Sequence, residues 1–210
     1  MSYPRYISTP WSGSIEEIAD SATTMPESCT DFFAAIAQSV ARSSVCRVTG
    51  GGSSIPEVQE LLATLVASKP GGRIAEMGTA FGAGARAIAE ALPADATFVT
   101  VEPDPARYAE ASAALARTRA EVVNARWEDV LPARGPFDLI FFDGGTRGET
   151  FELAISLLAP GGILVKDDLT PGGPVAGDPV REAFFQDQRL VAVEVLTTAS
   201  TAAIVGVRRP

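Results

Sequence analysis

From Gly72 onward the chain alternates between short apolar runs and amphipathic segments, and this order constrains the fold more than any other feature. The runs GRIAEM, ATFVTVE, AEVVNA, FDLIFF and GILVKD have the continuous apolar character of buried parallel strands. The segments between them include ARAIAEAL, PARYAEASAALAR and ETFELAISLL, which have the apolar spacing of helices. The series predicts an α/β fold, a doubly wound and mostly parallel sheet with helices on both faces.

The two ends of the chain extend this prediction. PVREAFFQDQ is typical of a helix, and RLVAVEVL and TAAIVGVRR predict a C-terminal antiparallel strand pair, which brings the sheet to seven strands. Residues 1–54 are predicted to form an N-terminal extension with a cap helix over residues 31–42, in the same domain as residues 55–210. Ser54 is predicted to be the N-cap of a helix that has Pro56 in its first turn.

Composition excludes several classes of function. The 210 residues carry a net charge of −9 and no histidine. The charge disfavours nucleic acid and anionic membranes as partners, and the absence of histidine excludes Ser-His and Cys-His catalysis and His-ligated metals. Cys29 and Cys46 have no metal-site spacing, and no apolar run resembles a signal peptide or a membrane span. We therefore expect a cytoplasmic protein with a small-molecule partner.

A glycine-rich turn, EMGTAFGAGARAIAEA at residues 76–91, follows the first predicted strand. A dinucleotide-binding G-x-G-x-x-G motif that starts at Gly78 would need glycine at the position of Ala80. A phosphate-binding P-loop would need Gly-Lys-Ser/Thr, which is absent here. The turn therefore matches neither of these nucleotide-binding motifs.

The pattern E-x-G-T-x-x-G-x-G in this turn resembles the first motif of class I S-adenosylmethionine-dependent methyltransferases, in the form of the catechol-type O-methyltransferases. The resemblance implies a Rossmann-like sheet that binds S-adenosylmethionine. It places the Glu76 carboxylate near the methionine ammonium. It also implies that the turn passes along the methionine part of the cofactor, with Gly78, Thr79, Ala80, Phe81 and Gly82 as the contacting residues.

Two later segments fit the same family. VTVEPD ends the second predicted strand. The resemblance implies that the Glu102 carboxylate accepts hydrogen bonds from the ribose hydroxyls and that Pro103 contacts adenine. An acid at the position of Glu102 also suits NAD, so it indicates a ribosyl ligand in general. ARWEDVLP resembles the segment beside the adenine ring, with Trp127 as a stacking face and Glu128 as acceptor of the adenine amine. Packing in the core is the alternative for Trp127.

The segments FDLIFFDGG and LLAPGGILVKDD are also family signatures, and they imply a metal site. By motif position, Asp143, Asp167 and Asp168 would hold Mg²⁺, Mn²⁺ or Ca²⁺, and Asp143 would also contact the cofactor and act in catalysis. Neighbouring strand residues point to opposite faces, so we expect the strand to end at the aspartate pair. The alternative is that these aspartates only cap a loop and order the pocket.

One position departs from the family. A lysine is common three residues after the fourth-strand aspartate, and here that position is Thr146, followed by Arg147, which is a poor base. Lys166 is the candidate substitute as a catalytic residue, although its ammonium would more commonly lie in solvent.

The sequence therefore predicts metal-assisted O-methylation of a small-molecule hydroxyl, in a homodimer if the chain assembles as the family often does. Alternatives are a non-catalytic or metal-independent S-adenosylmethionine-binding protein and an NAD(P)-dependent oxidoreductase. The oxidoreductase alternative is disfavoured because the chain lacks the G-x-G-x-x-G glycines. It also lacks a Tyr-x-x-x-Lys pair, since Ser112 stands four residues after Tyr108.

Overall fold

A computed structural model describes residues 54–143 and 148–210, where strands and helices alternate along the chain. The strands are β1 (Arg73–Met77), β2 (Thr97–Val101), β3 (Ala120–Val123), β4 (Phe137–Phe142), β5 (Leu158–Leu169), β6 (Leu190–Leu196) and β7 (Ala202–Arg208). The helices are α1 (Pro56–Ala67), α2 (Ala83–Ala91), α3 (Pro105–Leu115), α4 (Trp127–Val130), α5 (Gly148–Ser156) and α6 (Pro179–Phe185). The predicted cap helix at residues 31–42 lies outside the described residues, as do Thr146 and Arg147.

The seven strands form one sheet in the order β3-β2-β1-β4-β5-β7-β6. Strands β1 to β5 run parallel, and β7 is antiparallel to both of its neighbours, β5 and β6. The chain builds outward from β1 to β3 and then returns to β4 on the other side of β1. The topological switch point therefore lies between β1 and β4. The predicted seven-stranded, mostly parallel fold with a C-terminal antiparallel pair is confirmed.

Two apolar layers cover the two faces of the sheet. One layer packs α1 and α2 against the strands, through residues that include Val58, Leu62, Val66, Ala85 and Ile88. The other layer packs α4, α5 and α6 against the opposite face, through residues that include Trp127, Phe151, Ile155 and Phe184. Because the central strands are covered on both faces, they are apolar at consecutive positions and do not alternate. Among the described residues, none of the helices is long and apolar enough to span a membrane.

Strand β5 begins earlier than the sequence predicts. The sequence predicts a strand at GILVKD, which begins at Gly162, yet β5 starts at Leu158. Phe137 of β4 pairs with Leu158, whereas Leu139 pairs with Ile163, so the register of the β4–β5 pairing shifts across this segment. Within it, Gly161 has a φ of 75°. An irregularity of this kind lets a strand carry extra residues while its pairing continues on both sides. The Pro-Gly-Gly segment is therefore an interruption within the strand.

We expect Phe142 to be a main contributor to the stability of the second layer. Its fully buried ring lies 5.7 Å from Trp127, nearly perpendicular to it, and 6.5 Å from Phe151. The variant Phe142→Ala should lower the free energy of unfolding in urea by about 3–5 kcal/mol, because it leaves a cavity. Val191→Ala on strand β6, where the side chain is 53% exposed, is the control and should change it by no more than about 0.5 kcal/mol. Equal effects of the two variants would contradict this packing.

Candidate active site

Acidic side chains gather where the parallel strands end. Glu76 lies in the last part of β1, Glu102 follows β2, Asp143 follows β4, and Asp167 and Asp168 lie near the end of β5. Parallel strands direct their carboxyl ends to one edge of a sheet, so the topology alone brings these residues to the same side. Ligands of open α/β sheets bind at this edge, next to the switch point. This edge is the candidate active site.

The glycine turn between β1 and α2 has an unusual backbone. Gly78, Ala80 and Gly82 all have positive φ angles, of 98°, 47° and 84°. The left-handed region costs a non-glycine residue about 1–2 kcal/mol, so the conformation of Ala80 must be held by its surroundings. The Ala80 N–H donates a 2.9 Å hydrogen bond to Glu102 Oε2, and the Gly82 N–H donates to the main-chain oxygen of Thr79 at 2.8 Å. The turn is thereby fixed to the acid that follows β2.

Glu102 connects the ends of three strands. Its buried carboxylate accepts the Ala80 N–H through Oε2 and the Asp104 N–H through Oε1, each at 2.9 Å. Its main-chain oxygen accepts a 2.8 Å bond from Asn124 Nδ2, beyond the end of β3. Each carboxylate oxygen has a second lone pair that these bonds do not use. Glu102 can therefore accept hydroxyl groups of a ligand without losing the bonds that hold it.

Glu76 is a buried carboxyl group whose protonation depends on its ligand. The Thr100 hydroxyl donates to Glu76 Oε2, and Thr79 Oγ1 lies 2.5 Å from Thr100 Oγ1. Burial raises the pKa of Glu76 to about 8, against the lowering effect of the Thr100 bond, and the charges of Asp143 and Asp167 raise it further. Glu76 is therefore mostly protonated at neutral pH. A cationic group placed beside it would favour the ionised form, as the predicted contact with an ammonium requires.

Ser54 belongs to this site, although it was predicted to be a helix cap. The N-cap of α1 is Ile55, and no side chain caps that end. A Cβ added to Gly84 would lie 3.0 Å from Ser54 Oγ and 2.9 Å from Glu76 Oε1. A side chain at residue 84 would therefore crowd both oxygens, which lie next to the start of α2. Ser54 is buried, with 9% exposure, and its hydroxyl has no hydrogen-bond partner in the described part of the chain.

The residues predicted to hold adenine lie in different environments. Trp127 is 8% exposed and packs edge-on against Phe142, so the alternative prediction of core packing describes its surroundings. Glu128 is half-buried and forms a 3.0 Å ion pair with Arg126, whereas Pro103 is exposed. A contact of any of the three with adenine stays a prediction.

Phe81 is the most exposed side chain of the glycine turn. Its ring is 40% exposed and lies 5.8 Å from the Arg107 guanidinium, measured from Cζ to the ring centroid. A guanidinium at this distance over a ring face is a cation–π contact. Phe81 therefore stands at the surface beside the turn, where its predicted contact with the cofactor remains untested.

The three predicted metal ligands do converge, by a different route from the one expected. Asp143, Asp167 and Asp168 each offer a carboxylate oxygen, and these oxygens lie within 4.8 Å of one another. Strand β5 ends at Leu169, one residue after the predicted end at the aspartate pair. Between Lys166 and Leu169, β5 has an extra residue relative to β7, and Asp168 has a φ of 62°. This bulge breaks the alternation of the strand and lets neighbouring side chains reach one point.

Burial and mutual repulsion shape the charges of this cluster. Burial raises the pKa of Asp167 to about 7, and the nearby charge of Asp143 raises it as well. Burial also raises the pKa of Asp143, while the Lys166 ammonium opposes this change. Lys166 is only 8% exposed, so the expectation that its ammonium lies in solvent is wrong. Its Nζ lies 3.9 Å from Asp167 Oδ1 and donates to the main-chain oxygen of Asp167 at 3.2 Å.

The cluster fits a divalent cation by its donors. Asp167 Oδ1 is buried and has no hydrogen-bond partner among residues 54–143 and 148–210. A buried carboxylate oxygen without a donor is costly unless a cation neutralises it. Three carboxylates and no nitrogen or sulfur form a set that suits Mg²⁺, Mn²⁺ or Ca²⁺. Beside the cluster is a cavity of about 470 Å³, lined by residues that include Lys166, Asp167, Asp168, Thr170, Asp178 and Arg181.

The raised pKa of Glu76 predicts a specific pH dependence of stability. The pKa rises from 4.5 in the unfolded chain to about 8 in the folded protein. The stabilisation is complete below pH 4.5 and is lost progressively as the pH rises from 4.5 to about 8, because over this range the unfolded carboxyl is ionised and the buried one stays protonated. Each unit of difference corresponds to about 1.4 kcal/mol, so the total loss is at most about 5 kcal/mol.

Glu76→Gln should remove this part of the pH dependence, because glutamine stays neutral throughout the range. The measurement is the free energy of unfolding in urea from pH 5 to 9, for the wild type and for the variant. Glu110→Gln, at an exposed position of α3, is the control and should follow the wild type. Parallel curves for Glu76→Gln and the wild type would show that the buried carboxyl has an ordinary pKa.

Comparison with known proteins agrees with this geometry. A family model described as a methyltransferase domain matches residues 75–169, which run from β1 to the end of β5. A protein of Mycobacterium tuberculosis named "Probable O-methyltransferase Rv1220c" is 30% identical over 162 residues, covering 67% of this chain and 72% of the relative. A catechol O-methyltransferase of Niastella koreensis is 29% identical over 164 residues, covering 71% of this chain and 73% of the relative.

Solved structures share the fold at low sequence identity. The O-methyltransferase TomG from Streptomyces achromogenes, in complex with S-adenosylmethionine, has a TM-score of 0.63 at 23% identity and covers 76% of this chain and 82% of its own. An O-methyltransferase from Bacillus cereus, in complex with S-adenosylhomocysteine, has a TM-score of 0.64 at 21% identity and covers 92% and 96%. The chain belongs to the class I S-adenosylmethionine-dependent O-methyltransferase family.

Proposed function

We propose that this protein transfers the methyl group of S-adenosylmethionine to a hydroxyl oxygen of a small molecule, and that a divalent cation held by Asp143, Asp167 and Asp168 assists. The observation that carries the proposal is the convergence of three carboxylates on one point, one of them with a buried oxygen that lacks a donor. The net charge of −9 favours a small acceptor over a nucleic acid.

The reaction needs two substrates held in line. The acceptor oxygen forms a bond to the methyl carbon as the bond from that carbon to sulfur breaks, the hydroxyl proton leaves, and S-adenosylhomocysteine is the second product. Holding oxygen, carbon and sulfur in line contributes up to roughly 7–11 kcal/mol to such reactions. In this proposal Glu102 holds the ribose, and the turn from Gly78 to Gly82 holds the methionine part. The cavity beside the aspartate cluster holds the acceptor.

The aspartate cluster prepares the acceptor side. Asp143, Asp167 and Asp168 would hold the divalent ion, whose positive charge would help to orient the acceptor oxygens and lower the pKa of the attacking hydroxyl. The chain itself provides the site by burying Asp167 and by placing Asp168 in the bulge. Without a cation, the raised pKa of Asp167, about 7, indicates that protons relieve the repulsion instead.

Lys166 is the residue that we assign to the electrostatic role of the missing lysine. Its ammonium is buried and lies 3.9 Å from Asp167 Oδ1. It is thus close enough to favour negative charge on an acceptor oxygen in the same cavity, as well as on the aspartates. Asp143 is also predicted to be catalytic. It lies three residues before Thr146, the position at which the family commonly has a lysine.

A metal-independent protein of the same fold is the second candidate. The contact between Lys166 and Asp167 favours it, because an internal ammonium already offsets part of the charge of the cluster. The two candidates differ in whether the protein takes up a divalent ion, which binding measurements decide without knowledge of the acceptor.

Ser54 offers a direct test of the cofactor site. The N-cap of helix α2 is Gly82, which has no side chain to bind the first N–H groups, and the Ser54 hydroxyl lies beside this end. The methionyl carboxylate of the cofactor would find donors there. Ser54→Ala should weaken the binding of S-adenosylhomocysteine about 10-fold, the effect of one hydrogen bond to a charged group.

Titration calorimetry measures this change. Ser68→Ala is the control, because Ser68 lies at the other end of α1 and its hydroxyl is bonded to the Leu65 carbonyl. We expect Ser68→Ala to bind like the wild type. Equal affinity of the Ser54 and Ser68 variants would exclude Ser54 from the cofactor site.

The main test of the proposal is calorimetric titration with S-adenosylhomocysteine and, separately, with Mn²⁺. We expect the wild type to bind both, and Asp168→Asn to lose Mn²⁺ binding while keeping the nucleoside. Asparagine tolerates the left-handed backbone of residue 168 better than alanine does, so this variant removes the charge without straining the bulge.

Asp95→Asn, at an exposed turn before β2, is the control and should bind both ligands normally. Binding of the nucleoside without Mn²⁺ by the wild type would establish the metal-independent candidate. Failure to bind S-adenosylhomocysteine at all would overturn the proposed methyl transfer.

A further inference from the structure

A buried arginine lies beside the aspartate cluster and contacts the loop that follows it. Arg181 belongs to α6, its side chain is 5% exposed, and it lines the same cavity as Asp167 and Asp168. We propose that Arg181 is a positioning residue that fixes residues 170–173 and thereby holds Asp168 in the bulge from which the three aspartates bind one cation. This inference rests on the metal-assisted form of the proposed function.

Each nitrogen of the Arg181 guanidinium donates to a different part of the fold. Nη2 donates to the main-chain oxygen of Thr170 at 2.5 Å, two residues after Asp168. Nε donates to Glu194 Oε2 on β6 at 2.9 Å, and Nη1 donates to Asp178 Oδ2 at the start of α6 at 2.5 Å. One side chain thus joins the loop after β5 to a strand and to a helix.

The partners of Arg181 hold the same loop from a second direction. Glu194 Oε1 accepts the Gly172 N–H at 2.8 Å, so one carboxylate binds both the arginine and the loop. A Cβ added to Gly173 would lie 2.7 Å from Arg181 Nη1 and 2.8 Å from Cζ. The backbone at Gly173 therefore lies directly against the guanidinium, and a side chain at this position would separate them.

The conformation of Asp168 gives this arrangement its consequence. A non-glycine residue with a φ of 62° adopts a sparsely populated conformation that persists only when its surroundings fix it. Pairing with β7 fixes Lys166 before the bulge and Leu169 after it. Thr170 is the next residue, and its carbonyl is bonded to Arg181. If this bond is lost, the strand end is free to relax and the Asp168 carboxylate moves away from its two partners.

The same contacts argue against a role for Arg181 in binding an anionic ligand. Its three nitrogens already donate to protein oxygens, two of them carboxylates. A buried guanidinium paired in this way is costly to separate from its partners. We therefore assign Arg181 to act on the cluster through the loop.

The test uses Arg181→Lys in the full chain. Lysine keeps the positive charge but presents one nitrogen, so it cannot bind Thr170, Asp178 and Glu194 together. Loss of a residue that orients metal ligands lowers metal affinity about 10–100-fold. We therefore expect Mn²⁺ affinity, measured from the free-ion signal in electron paramagnetic resonance, to fall at least about 10-fold. The affinity for S-adenosylhomocysteine should stay within about 2-fold, because Arg181 is not bonded to the glycine turn or to Glu102.

Two further variants separate positioning from general instability. Glu194→Gln keeps one oxygen acceptor and removes the other, so it should also lower Mn²⁺ affinity, by a smaller factor than Arg181→Lys. This variant replaces Arg181→Lys in the test if Arg181→Lys does not fold. Arg189→Lys is the control, because Arg189 also binds two carboxylates, those of Asp187 and Glu152, but at an exposed position. It should leave both ligands unaffected.

The outcomes distinguish this inference from the proposed function. Unchanged Mn²⁺ affinity in folded Arg181→Lys and Glu194→Gln would overturn the positioning role, as would an equal loss of Mn²⁺ and S-adenosylhomocysteine. A wild type that binds S-adenosylhomocysteine but not Mn²⁺ would overturn it as well, while leaving methyl transfer in place. A wild type without affinity for S-adenosylhomocysteine would overturn the proposed function, and the Mn²⁺ measurements would still decide the role of Arg181.

Discussion

The electrostatic repulsion among carboxylates at one edge of the sheet is the constraint on which the site depends. Parallel strands direct Glu76, Glu102, Asp143, Asp167 and Asp168 to this edge, and the protein relieves their charge in different ways. Glu102 accepts two backbone N–H groups, Glu76 keeps its proton to a pKa of about 8, and Asp143 and Asp167 lie near the Lys166 ammonium. What remains is a site that favours positive groups and hydroxyls, which S-adenosylmethionine and the proposed divalent ion would supply.

Much of the fold could be predicted from the sequence, because the central strands are covered on both faces. Continuous apolar runs such as FDLIFF are typical of strands that are buried on both faces, and all seven strands were predicted near their observed positions. The start of β5 and its bulge at Asp168 were not predicted. Both depend on pairing with β4 and β7, which is distant in sequence and is not encoded by the local pattern.

The candidate site was predicted where its residues belong to motifs and missed where tertiary contacts decide. Ser54 fits the local rule for a helix cap, yet the N-cap is Ile55 and the Ser54 hydroxyl lies beside Gly84 at the start of α2. The burial of Lys166 follows from the strands on both sides of β5, which leave its ammonium near Asp167. Gly84, two residues after the turn of residues 78–82, is a signal in the sequence, but its meaning depends on which side chains pack against it.

The backbone of residue 168 also limits how this protein can diverge. Glycine, asparagine and aspartate are the residues that adopt a φ near 62° with least strain. The codons of asparagine and glycine are each one base change from those of aspartate, so both are within reach of a single mutation. Asparagine replaces the carboxylate by a neutral amide, and glycine removes the side chain. Either change would fit the backbone of residue 168 while removing the charge that the proposed cation site needs.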